Sequence, residues 1–181
     1  MPFLSISRNL FLTGILLIVI TAWCSVGYHH PDEHYQILEF AKYKLGEAPV
    51  EDLPWEFREQ MRPGLQPFLA YCSILASRSI GIDDPFNQIF LMRLLAGLLA
   101  FFLYWKWCES LSPTLRDNGR FLRLSLVFFW MFAYLNVRFS SENMSAITFL
   151  GGLLLIYPDP RSAQAWKLAV AGLLMGLSFF F

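Results

Sequence analysis

"PFNQIFLMRLLAGLLAFFLYWKW", Pro85 to Trp107, is apolar over the length a membrane-crossing helix needs, about 20 residues, and carries a single interior charge before its last turn, Arg93. An ionisable group is expensive inside such a span and is expected to be paired or functional, although the sequence names no partner for it. A second stretch of this kind, "NLFLTGILLIVITAWCSVGY", runs from Asn9 to Tyr28 behind Arg8. Its apolar part is longer than a usual signal-peptide core and lacks a small-x-small cleavage site, so it reads as a retained span.

Composition points the same way. The chain is 56% hydrophobic, 17% aromatic and only 15% charged, with mean hydropathy +0.45, whereas soluble domains carry about 25% charged residues. The expected class is an all-α polytopic membrane protein. Fourteen basic and fourteen acidic residues cancel, so nothing in the bulk charge argues for a nucleic-acid partner. Cys24, Cys72 and Cys108 lie in or beside apolar runs and read as small apolar residues rather than a disulfide framework.

Working outward, the pattern predicts transmembrane helices over 9–28, 85–107, 121–137 and 143–158, and a truncated fifth over 167–181. The last stops inside "WKLAVAGLLMGLSFFF" without a polar flank, as expected for an N-terminal piece of a longer protein. "PGLQPFLAYCSILAS", Pro63 to Ser77, supplies only about 22 Å of helix at 1.5 Å per residue, which is short for a span. If it crossed, the loops with Lys106, Arg116, Arg120, Arg123, Arg161 and Lys167 would lie outside, against the positive-inside rule. The preferred arrangement has it interfacial or re-entrant, with cytoplasmic loops at 108–120 and 159–166, an outer turn at 138–142 and an acidic outer loop at 29–84. Within that loop Pro31 starts a helix whose apolar positions Ile37, Leu38, Ala41 and Leu45 recur at helical spacing until Gly46, as in a helix lying on the membrane surface.

That helix opens with "YHHPDEHYQ", Tyr28 to Gln36, which holds all three histidines of the chain. Metal ligation is disfavoured, since neighbours on one turn point apart and no HExxH spacing puts two histidines on one face. Two readings remain: Asp32 and Glu33 complement the helix N-terminus, or a carboxylate there is a general base at the depth where a lipid-borne substrate presents its head group. "VRFSSENMS", Val137 to Ser145, adds Arg138, able to donate two parallel bonds to a phosphate, although a plain polar turn explains the stretch equally well.

The run "HPDEHYQILEFAKYKLGEAPVEDLPWEFREQMRPGLQPFLAY" resembles the first-loop signature of the lipid-dependent mannosyltransferases of glycosyltransferase family 22. Pro31, Asp32, Glu33, Tyr35, Gln36, Leu38, Glu39, Gly46, Trp55, Glu56, Arg62 and Pro63 match in order. More loosely, "RLLAGLLAFFLYW" and "RFSSENMS" resemble later segments of the family, with Phe139 and Glu142 departing from its pattern. The resemblance implies a C-superfamily glycosyltransferase fold with surface helices in the first outer loop. It also implies a hexosyltransferase that uses no metal or other cofactor and takes its sugar, typically mannose, from a polyprenyl phosphate. The acceptor would be a glycan or glycolipid, and the membrane the endoplasmic reticulum or a bacterial inner membrane, with the active site on the luminal or periplasmic face. On that basis Asp32 is the expected base and Glu33 its neighbour in catalysis. Arg138 is expected at the donor phosphate with Arg62 and Arg93 in reserve, and Tyr35, Gln36, Trp55 and Asn143 at sugars. The rival classes are a multi-span transporter or channel, in which Arg93 lines a solute path, and a non-catalytic membrane subunit.

Overall fold

The computed structural model describes residues 2–28, 31, 33–115, 118–160 and 163–181, with side chains from residue 8 onward. Of the expected site residues Asp32 lies outside this set, as do His29, His30, Arg116 and Arg161. The chain is all-α, 81% helical with no strand among the described residues. Its helices are α1 (Pro2–Cys24), α2 (Glu39–Leu45), α3 (Trp55–Arg58), α4 (Leu65–Ser79), α5 (Pro85–Leu115), α6 (Gly119–Phe128), α7 (Trp130–Asn136), α8 (Ser141–Ile156) and α9 (Ala165–Leu177). A π-helical turn, Glu33–Leu38, leads directly into α2.

Helix α5 is the axis of the structure. Asp84 accepts the Asn87 N–H at 2.9 Å and Pro85 fills the first helical position, which starts the helix where the sequence predicts. It does not end at Trp107 but runs to Leu115. The polar side chains on either side of Trp107 bond within the helix: Trp105 Nε1 and Lys106 Nζ both donate to Glu109, and Ser112 donates to the Cys108 carbonyl. Trp105 and Cys108 bury against α1 and α6 together with Ile18, Ala22, Phe101, Leu126, Val127 and Val137.

By length and composition α5 is the one described helix that qualifies alone as a membrane span. Arg8–Cys24 and Ala165–Phe180 are shorter apolar helices, and α7 with α8 qualifies only as a pair bent by 103°. The span expected over 121–137 is broken at Phe129, whose ψ of 102° is extended. Neither Pro nor Gly marks that break; it lets α6 bury Leu126 and Val127 while α7 delivers Val137 into the same core. The 9–28 expectation also shortens, because α1 stops at Cys24 and the chain turns at Gly27, φ +70°.

Small residues set the helix spacing, as expected where packing rather than water drives association. A Cβ on Gly97 of α5 would lie 2.9 Å from both Ile18 Cγ2 and Val137 Cγ1, and one on Gly152 of α8 would lie 2.8 Å from the Ala171 carbonyl of α9.

The segment between α1 and α5 folds against the helices. The apolar stripe expected to face lipid, Ile37, Leu38 and Ala41, is instead buried on Ala70 and Ile74 of α4 and Met92 of α5. Gly46, φ +76°, closes α2: its own N–H bonds the Tyr43 carbonyl and the Glu47 N–H bonds Lys42. Glu47 then takes both guanidinium nitrogens of Arg78 at the end of α4.

Two outcomes follow from this packing. Gly97→Ala should lower stability by about 1–3 kcal/mol, because β-branched Ile18 and fully buried Val137 have little freedom to retreat. Gly151→Ala, whose Cβ would meet nothing closer than Leu103 Cδ1 at 4.0 Å, should be near neutral. Equal thermal midpoints in detergent for the two variants would refute the close α1–α5 approach. The Arg78 hydrogen bonds hold the Glu47 carboxyl below its usual range. Its contribution is therefore full above the unfolded value, about 4.3, and lost as pH falls through the lower folded one. Protection of the amides of residues 46–48 against hydrogen exchange, taken relative to the intrinsic rate at each pH, should fall on acidification in the wild type and be low throughout in Glu47→Gln; wild-type protection constant through that acid range would count against the link.

Candidate active site

Arg93 of α5 and Arg138, just past α7, meet at the exit of α1. Arg93 donates through Nη1 to the Ser25 carbonyl at 2.5 Å and through Nη2 to the Gly27 carbonyl, which also accepts Arg138 Nη1 at 3.1 Å. Both guanidiniums are buried, 7% and 4% exposed, and each lies over a tyrosine ring, Arg93 5.8 Å from Tyr28 and Arg138 4.7 Å from Tyr134. Taking two cations out of water is costly, and carbonyl oxygens and ring faces recover part of that cost. Glu33 is buried close by, and its charge acts on both Arg93 and Tyr28.

Glu33 and Arg138 line one cavity of about 500 Å³, whose remaining wall comes from α7, Tyr104 of α5 and the first turns of α8. That is the size and mixed lining of a small-molecule site. Arg138 Nε is buried there without a hydrogen-bond partner among the described residues. The cavity lies in the α7–α8 bend, where the helix ladder is interrupted and its carbonyls need other donors. Asn143 Nδ2 bonds the Asn136 and Arg138 carbonyls, both at 2.8 Å, and Gln66 Nε2 bonds the Phe139 carbonyl at 3.1 Å. Ser141 Oγ donates to Gln66 Oε1 at 2.8 Å, and Ser140 caps α8.

The expected site residues therefore separate into groups. Glu33, Arg138 and Asn143 come together in the cavity, although both amide protons of Asn143 point to backbone rather than to the cavity. Arg93 anchors the α1 exit. Arg62 lies at a different cavity, paired with Glu56 at 3.1 Å, and Gln36 donates to the same carboxylate at 2.6 Å. Tyr35 and Trp55 are exposed. His34 pairs with Glu39 at 3.1 Å and stacks beside Tyr28, and among the described residues no three His, Cys, Asp or Glu side chains gather as a metal group.

Sequence reasoning missed Gln66, Asn136 and Tyr134. Gln66 is 1% exposed and Asn136 8%. Each is a polar residue inside an apolar run, which is the signal that singled out Arg93 and would have found them too.

The model of the Alg9-like mannosyltransferase family matches residues 10–180. No curated protein and no solved structure matches the chain significantly. The match runs from inside α1 through α9, taking in both arginines, the carboxylate and the bend that holds them, and with that extent the chain belongs to the Alg9-like mannosyltransferase family of membrane glycosyltransferases.

Proposed function

We propose that this polytopic chain transfers a mannosyl or related hexosyl residue from a polyprenyl-phosphate sugar to a glycan or glycolipid acceptor, with inversion, on the non-cytosolic face of its membrane. The observation that carries the reading is the pairing, in one cavity, of a buried carboxylate, Glu33, with a buried guanidinium, Arg138. Inverting transfer needs those two charges: a base for the acceptor hydroxyl and a cation for the departing phosphate.

The acceptor oxygen attacks the anomeric carbon from the face opposite the phosphate. Its proton passes to a carboxylate as the bond from the anomeric carbon to the phosphate oxygen breaks, and the electron pair leaves with the lipid phosphate. Asp32 takes the proton, and Glu33 beside it orients Asp32 or the acceptor. Arg138 Nε meets the charge growing on the phosphate, a fixed donor in a partly dry site that need not reorganise. Arg93 is less suited to that task, since both its terminal nitrogens already hold backbone carbonyls, and Arg62 faces another cavity. No step calls for a metal.

In membranes supplied with polyprenyl-phosphate mannose, Asp32→Asn should lower kcat by about 10²- to 10⁴-fold, the usual contribution of a positioned base. Arg138→Lys should cost about 10²-fold or more, because an ammonium cannot reproduce the planar donor set. Full activity in both Asp32→Asn and Glu33→Gln removes the base assignment, and failure of the wild type to use the donor removes the donor class. Asn143→Asp replaces two donors by acceptors facing the Asn136 and Arg138 carbonyls, and should cost about 2 kcal/mol or more of stability and displace Arg138. Unchanged thermal stability in that variant would mean the bend is held by other contacts.

A further inference from the structure

The Trp-Glu-Phe-Arg stretch and the residues after it take no part in the cavity at the α7–α8 bend. They form a second cavity of about 580 Å³ between α2, α3 and α4. Phe40, Phe57, Phe68 and Tyr71 give it aromatic walls, and Phe57 is fixed edge-on against both Phe40 and Tyr43 at centroid distances of 5.0 and 5.1 Å. Polar groups converge on these walls. Glu56 accepts Gln36 Nε2 on one oxygen and Arg62 Nη2 on the other, which fixes the carboxylate and leaves each oxygen room for one more donor. Gln60 stands at the rim in the left-handed region, φ +53°, a conformation that costs energy for a residue with a side chain and is common at ligand clamps.

We propose that this second cavity binds a saccharide unit of the acceptor, a subsite beside the reaction cavity; this rests on the transferase reading above. Pyranose rings offer C–H faces to aromatic walls and hydroxyls to planar polar groups, and both are present here. A simple anion is served less well, because Glu56 offsets the charge of Arg62 and leaves Lys44 as the other cation of the lining. The two cavities share two struts. The helix that opens at Glu33 in the first cavity reaches Phe40 in the second after about 10 Å of rise. The first turn of α4 places Pro67 in the second cavity while its neighbour Gln66 holds Phe139 and Ser141 at the bend. An acceptor glycan seated in the second cavity thus lies against the same helix that presents Glu33.

The test is equilibrium binding of labelled mannotriose to the full chain in nanodiscs, which is independent of transfer. Glu56→Gln and Gln60→Gly should each weaken binding about tenfold, the value of one good hydrogen bond to a charged or fixed group. Gln60→Gly also keeps the turn and relieves its backbone, so a loss there is not a loss of folding. Arg138→Lys, in the other cavity, should leave mannotriose affinity unchanged. No binding by the wild type overturns the subsite, as does an equal loss in Arg138→Lys or displacement of mannotriose by octyl phosphate. Because transfer is not measured, failure here leaves the reaction-cavity reading standing, and loss of that reading through the Asp32 and Glu33 variants leaves this binding result intact.

Discussion

Two buried guanidiniums, from Arg93 on α5 and Arg138 beyond α7, donate to one backbone carbonyl, that of Gly27. Much of the fold depends on this junction. It ends α1 at Cys24, because the carbonyls of Ser25 and Gly27 are turned toward side chains instead of continuing the helix ladder. Gly27 permits the turn with a φ of +70° that a residue with a Cβ adopts only at a cost. The same carbonyl ties the α7–α8 bend to the first helix, across a sequence separation of more than one hundred residues.

A charge pair of like sign in a buried place needs compensation. Backbone oxygens, the rings of Tyr28 and Tyr134, and the nearby carboxylate of Glu33 supply it. This electrostatic arrangement is also the functional one in the proposed mechanism. A site that must release an anionic phosphate benefits from cations that already stand in place, since nothing then reorganises during the reaction. The bend gives the site its shape: a straight helix through 130–156 would have satisfied its own carbonyls and left no cavity.

Much of the fold was legible in the sequence. Apolar runs, Pro85 behind Asp84, and Gly46 at the end of a periodic stretch located helices through purely local chemistry. The family signature in the first loop was legible too, and the family match agrees with it. Boundaries set by distant contacts were not. Nothing local in "VFFWMF" announces the break at Phe129, which reflects where Val127 and Val137 bury. The stripe of Ile37, Leu38 and Ala41 looked like a lipid-facing surface because periodicity shows that a face is apolar and not what covers it; α4 and Met92 cover it.

For the site the division is sharper. Sequence by itself determined the class of chain, an apolar helical one with its charge confined to a few places, and it singled out the residues on which the proposed chemistry rests, since carboxylates and arginines in or beside apolar runs are costly enough to need a reason. Only the tertiary structure decided how those residues are grouped. Glu33 and Arg138 share a cavity while Arg62 joins Glu56 in another, and Arg93 and Asn143 spend their donors on backbone. The physical reason is that a hydrogen bond or ion pair acts over about 3 Å, and which groups approach that closely is set by how helices far apart in sequence pack, through contacts such as Gly97 against Ile18 and Val137 that no local pattern encodes.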